Sequence, residues 1–155
     1  MTTIEEELVA ILAEKQYTLA TAESCTGGLL AGTLINVSGI SSVFQQGYIT
    51  YANEAKVQTL HVKQETLDQH GAVSAETAIQ MAQGARGQAH TDVAISTTGI
   101  AGPNGGTASK PVGLVYIGCC VKDIIKTKEL RLNGTRKEIR EQAVHAAIAF
   151  AIELI

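Results

Sequence analysis

Residues 92–132 read DVAISTTGIAGPNGGTASKPVGLVYIGCCVKDIIKTKELRL, and the order of elements in this stretch decides the fold. Asp92 to Thr97 is an apolar run with the composition of a strand. The loop GIAGPNGGTASKP follows it, and then come two strand-like runs, Val112 to Cys120 and Ile124 to Leu132. These two lie close enough in sequence to form a hairpin, so one strand should run against the others. Upstream, helix and strand signals alternate. Thr3 and Glu6 make a capping box for a helix from about Thr3 to Lys15, with Ile4, Leu8, Ile11 and Leu12 on one face. Tyr17 to Ala22 reads as extended, Gly27 to Val37 as a helix, and Gly47 to Ala52 as a strand. Asn53 is the expected N-cap of a helix through Leu60, and Ser74 of one through about Ala89, with Gly71 ending the segment between them. Downstream, Thr135 and Glu138 form a second capping box that opens the last helix. Alternation implies parallel strands joined by right-handed crossovers. The fold class expected is therefore α/β: a mixed, mostly parallel sheet with one antiparallel strand and helices on both faces.

A chain of 155 residues fits a single domain and is long enough to bury a core without disulfides or a structural metal. There is no internal repeat, low-complexity tract or linker. Hydrophobic residues at 45% and charged residues at 17% exclude a disordered or fibrous chain. A net charge of −3, with aromatics at 4% and no Trp, argues against nucleic-acid binding, which calls for a basic surface and stacking platforms. The start MTTIEEELVA is acidic where a secretory leader is basic. The apolar stretch Ala143 to Ile155 is broken by His145 and Glu153 and is too short for a membrane span. Three cysteines, two of them adjacent, do not make a disulfide framework, and no CxxC or HxxxH spacing suggests zinc. The expectation is a cytoplasmic protein without metal, membrane or nucleic-acid partners.

Two glycine-bearing loops can carry chemistry. TAESCTGGLLAG, Thr21 to Gly32, lies where a strand gives way to a helix, and consecutive N–H groups there face an incoming anion. Alternatively, Ser24 or Thr26 is simply the N-cap and the glycines allow close packing. The second loop, TTGIAGPNGG from Thr97 to Gly106, follows a strand's carboxyl end, where ligands sit in open α/β sheets. It matches neither GxGxxG before a helix nor a Walker pattern.

Ser24, Cys25 and Thr26 are adjacent nucleophiles, and there is no GxSxG elbow. A thiol at a helix N-terminus has a lowered pKa, so Cys25 rivals Ser24. The histidines His61, His70, His90 and His145 show no triad pattern. A serine nucleophile would then need another base, for which lysine is the usual substitute. Lys56, expected as the third residue of its helix, lies near the positive end of the macrodipole, which favours the neutral amine a general base requires. Seven of the twelve basic residues fall between Lys122 and Arg140 (Lys122, Lys126, Lys128, Arg131, Arg136, Lys137 and Arg140), most reading as a solvated edge and helix face. Arg136, at the first helical position, could instead meet a phosphate through its planar fork.

At these loops the chain resembles the CinA C-terminal domain, the nicotinamide-nucleotide amidase family. The matching segments are TAESCTGG (21–28), TYANEAK (50–56), GAVSAETA (71–78), TTGIAGPNGG (97–106), KPVG (110–113) and GTRKEIR (134–140). They span nearly the whole chain in the family's order. One departure is Gly39-Ile40-Ser41, where the family often has Gly-Ser-Ser.

The resemblance implies a three-layer α/β/α domain over residues 1–155 that hydrolyses the carboxamide of nicotinamide mononucleotide to nicotinate mononucleotide and ammonia. It implies Ser24 as nucleophile, with Tyr51 and Lys56 as activating partners. Thr26, Gly27, Gly28, Thr98, Gly99, Ala101, Gly102 and Arg136 would bind the substrate. No metal or organic cofactor is implied; the partner is a small pyridine nucleotide, and the assembly a homo-oligomer. Two other classes remain open. A nucleotide-binding or regulatory module would explain both loops but leave Tyr51 and Lys56 without a task. A purely structural domain would leave both loops unexplained.

Overall fold

The computed structural model describes residues 1–155. Thr3 caps the first helix, α1 (Ile4–Lys15), with both halves of the capping box formed. The first strand, β1 (Leu19–Glu23), leads into the short helix α2 (Leu29–Leu34), and a single 3₁₀ turn (Ile40–Ser42) precedes β2 (Phe44–Ile49). Three helices follow: α3 (Asn53–Leu60), α4 (Gln64–His70), which Gly71 terminates, and α5 (Ala75–Ala89), which Ser74 caps through the Thr77 N–H. Strands β3 (Val93–Gly99), β4 (Leu114–Val121) and β5 (Ile124–Arg131) come next, and α6 (Arg136–Leu154) closes the chain behind the Thr135/Glu138 capping box.

Two boundaries depart from the expectation in ways that shape the site. The helix expected from Gly27 starts only at Leu29, because Gly27 and Gly28 take φ of 55° and 102° and form a turn instead. Asn53 is the first residue of α3 and not its cap: Ala52 holds the N-cap position with no side-chain hydrogen bond. Lys56 is therefore the fourth helical residue.

The sheet order is β2-β1-β3-β4-β5. β1 is parallel to both β2 and β3, whereas β4 is antiparallel to β3 and to β5. β4 is thus the one strand running against the other four, as the hairpin spacing implied. Leu19, Val93, Ile95, Ile117, Cys119 and Val121 join side chains of α1, α2 and α6 in one core. Ala20, Ala22 and Ala94 join Leu60, Val62, Leu67, Met81 and Ala85 in a second core on the opposite side. The layers are therefore α1/α2/α6, the sheet, and α3/α4/α5.

Small residues let the second layer sit close. The Ser96 hydroxyl donates to the Ala78 carbonyl of α5 at 2.6 Å, and a Cβ on Gly118 would lie 2.5 Å from the same oxygen. A Cβ on Gly84 of α5 would overlap the Leu60 carbonyl at the end of α3. No helix is long and apolar enough to cross a membrane.

From the end of β1 the chain goes to β2 on one side, then crosses to β3 on the other. The crevice at the carboxyl ends of β1 and β3 is a topological switch point, where open α/β sheets place their ligands. The turn 24–28 and the glycine loop after Gly99 both open there.

Candidate active site

Glu23, the last residue of β1, organises the first loop. It is 1% exposed, and its Oε1 accepts from the Thr26 hydroxyl (2.6 Å) and the N–H groups of Gly28 (3.2 Å) and Leu30 (2.8 Å), while Oε2 accepts from the Ala31 N–H (3.0 Å). The carboxylate therefore satisfies the unpaired donors at the start of α2, a task that neither Ser24 nor Thr26 performs. Thr26 Oγ1 also lies 2.7 Å from Thr97 Oγ1, and since its own proton goes to Glu23, Thr97 is the donor. The Ser24 N–H donates to the Thr97 carbonyl at 3.0 Å, so the two loops are fastened to each other. Sequence reasoning missed Glu23; its only signal was a charge closing the apolar run of β1.

Freed from capping, the Ser24 hydroxyl lies 3.0 Å from Lys56 Nζ. The same amine reaches the Thr50 carbonyl at 2.9 Å and the Tyr51 carbonyl at 3.0 Å. Lys56 is 1% exposed and has no carboxylate partner among the ion pairs. Burial accordingly holds its amine below the ordinary lysine value, with a smaller opposing contribution from Cys25. A neutral amine has two N–H donors and one lone pair, and the three contacts match that inventory: two carbonyls to accept and one hydroxyl able to donate. Cys25, the rival to Ser24, does not have an activated thiol. Burial outweighs a backbone hydrogen bond and the nearby Arg140 and Lys56 charges and pushes the thiol up to about 11, so it is protonated at neutral pH.

Tyr51 is 61% exposed, and its hydroxyl accepts from Arg136 Nη2 at 3.1 Å. It reaches Lys56 through its main-chain carbonyl. Arg136 Nη1 donates to the Gly102 carbonyl at 2.7 Å, and these side chains, with Cys25, Gly99 and Ala101, line a cavity of about 230 Å³. Thr98 stands apart, because it is buried and its hydroxyl donates to Ala72 at 2.8 Å. Gly28 donates its N–H to Glu23, and Gly27 donates to the Ser24 carbonyl at 3.1 Å. In the turn, the N–H groups of Cys25 and Thr26 are the ones without an acceptor inside the chain. The same holds in the second loop for Ala101, Gly102, Asn104, Gly105 and Gly106. The structure thus gathers a serine–lysine pair, a turn with two free N–H groups, and a second loop with several more beside an arginine.

Comparison with known proteins identifies the family. The model of the CinA C-terminal domain family matches residues 1–155. A protein of Clostridium acetobutylicum named for competence-damage induction is 55% identical over 147 residues, covering 95% of this chain and 36% of its own length. One of the same name from Clostridium novyi is 56% identical over 146 residues, covering 94% and 35%. The chain thus spans about a third of the length of these relatives. Among solved structures, the competence/damage inducible protein CihA from Agrobacterium tumefaciens superposes with a TM-score of 0.94 at 41% identity, covering 99% of this chain and 97% of that one. A CinA superfamily protein from Escherichia coli gives 0.93 at 35% identity, covering 99% and 91%. With the family model matched from end to end and relatives above half identity over nearly the whole chain, this protein belongs to the CinA C-terminal domain family.

Proposed function

We propose that the chain is an amidohydrolase that cleaves the carboxamide of nicotinamide mononucleotide, releasing ammonia and nicotinate mononucleotide. The observation that carries this reading is the buried 3.0 Å contact between Ser24 Oγ and Lys56 Nζ. The substrate comes from the family resemblance, supported by a cavity next to the dyad, where Cys25, Tyr51 and Arg136 meet the free N–H groups of the glycine loop.

Lys56 accepts the Ser24 proton as Oγ attacks the carboxamide carbon. The oxygen of the tetrahedral adduct becomes negative and takes hydrogen bonds from the Cys25 and Thr26 N–H groups. The lysine ammonium then returns its proton to the departing amide nitrogen, and the C–N bond breaks. Ammonia leaves, and water attacks the acyl-serine with Lys56 again as base. The glycine loop and the uncommitted N–H groups of Arg136 hold the phosphate, and Tyr51 keeps Arg136 facing the cavity.

The test is incubation with nicotinamide mononucleotide, following ammonia and the acid product. Wild type should release both in equal amounts, and Ser24→Ala should release neither while still binding the nucleotide. Binding by wild type without product would leave the nucleotide-binding reading in its place.

A further inference from the structure

A trans peptide unit is planar, and its C=O and N–H point in opposite directions. Whatever holds one residue's carbonyl therefore aims the N–H of the next. In the turn after β1, the Ser24 carbonyl accepts from the Gly27 N–H at 3.1 Å, which directs the Cys25 N–H the other way. The Cys25 carbonyl accepts from Arg140 Nε at 3.0 Å, and this sets the direction of the Thr26 N–H. The Thr26 carbonyl accepts from Arg140 Nη2 at 2.7 Å and from the Leu29 N–H at 2.9 Å. Of the two free N–H groups, one is aimed by the turn itself. The other is aimed by a side chain 115 residues away on α6.

Arg140 is half-buried, makes no ion pair, and uses the two arms of its planar fork on adjacent carbonyls. A lysine would bring one compact ammonium in place of two donors spaced and fixed by a planar fork, and would not hold both carbonyls in this orientation. Read as part of a solvated basic cluster, the residue had no task; the structure gives it one. We propose that Arg140 is a positioning residue of the acyl-transfer site: by clamping the Cys25 and Thr26 carbonyls it turns the Thr26 N–H toward the oxyanion, without touching the substrate. This rests on the reading of Ser24 as the nucleophile.

The full chain can be tested with diisopropyl fluorophosphate, which needs no phosphate-binding loop. Ser24 Oγ bonds to phosphorus, the P–F bond breaks, fluoride leaves, and Lys56 takes the serine proton; the phosphoryl oxygen occupies the oxyanion position. Intact mass reports the rate of adduct formation. Wild type should be labelled and Ser24→Ala should not; failure of that pair refutes the nucleophile reading before any Arg140 variant is made.

Given that result, Arg140→Lys should be labelled more slowly by on the order of 10²-fold, the loss typical of one oxyanion donor. Arg140→Ala should be as slow and should regain rate when millimolar guanidinium is added. With nicotinamide mononucleotide the loss should fall on kcat and leave KM unchanged. Wild-type labelling rates for Arg140→Lys, or a loss confined to KM, would overturn the proposal. So would loss of folding in both variants, which would assign Arg140 to anchoring α6.

Discussion

Lys56, the proposed base, is almost wholly buried, at 1% exposure. Nothing compensates its charge there, and with its amine held below the ordinary value of 10.5 the proton is easier to lose. The sign follows from catalysis by the neutral form: activity should rise with pH as the amine titrates, along a limb lying below 10.5. Lys56→Arg keeps the cation but cannot accept a proton at working pH. It should lose roughly 10²–10⁴ in kcat, as alanine does, while still binding the nucleotide, and its residual activity should lack the rising limb. Steady-state rates of both variants from neutral to alkaline pH check this. Near-normal turnover in Lys56→Arg would make the residue a fixed charge and move the search for a base elsewhere.

At the scale of elements, the aim of Lys56 depends on where α3 lies, and α3 is located by its approach to α5. That approach is possible because Gly84 carries no side chain where the Leu60 carbonyl passes. Gly84→Ala puts a methyl group against backbone, so α3 must shift. Overpacking of this kind costs about 1–3 kcal/mol. Thermal unfolding should report the destabilisation, and Ser24 labelling should slow because the 3.0 Å contact with Lys56 lengthens. A lowered melting temperature with an unchanged labelling rate would show that the dyad does not depend on this helix contact. The short α2 is placed differently: its first turn leans on the Glu23 carboxylate, which ties the helix to the Ser24–Gly28 turn.

Across the whole molecule, the site is assembled from the ends of β1 and β3, the β2–α3 connection and the start of α6. Arg136 joins three of these, holding Tyr51 85 residues away and Gly102 34 residues away. If it also grips the substrate phosphate, Arg136→Ala should weaken binding of nicotinamide mononucleotide and leave that of nicotinamide riboside nearly unchanged. Calorimetric titration with the two ligands decides this, and equal losses would make Arg136 a brace for the cavity wall only.

Most elements and their order could be read locally, the exception being α4, whose residues read only as a segment that Gly71 ends. Capping boxes at Thr3 and Thr135, the Ser74 cap, the apolar run at 93–97 and the close spacing of the last two strands are local signals, and local signals set local geometry. That one strand runs antiparallel followed from spacing, and the pairing in the sheet makes it β4. The family motifs also marked Ser24, Lys56 and Arg136 as a set. What each group does with its neighbours is set by the folded chain. Ser24 is free to meet Lys56 because Glu23, not a hydroxyl, satisfies the start of α2. The Cys25 thiol is held protonated by burial that no motif records. Arg140 leaves the solvated cluster because α6 folds back over the turn. The physical reason is common to all three: protonation and orientation depend on which polar groups are desolvated together, and that is set by contacts between residues distant in sequence.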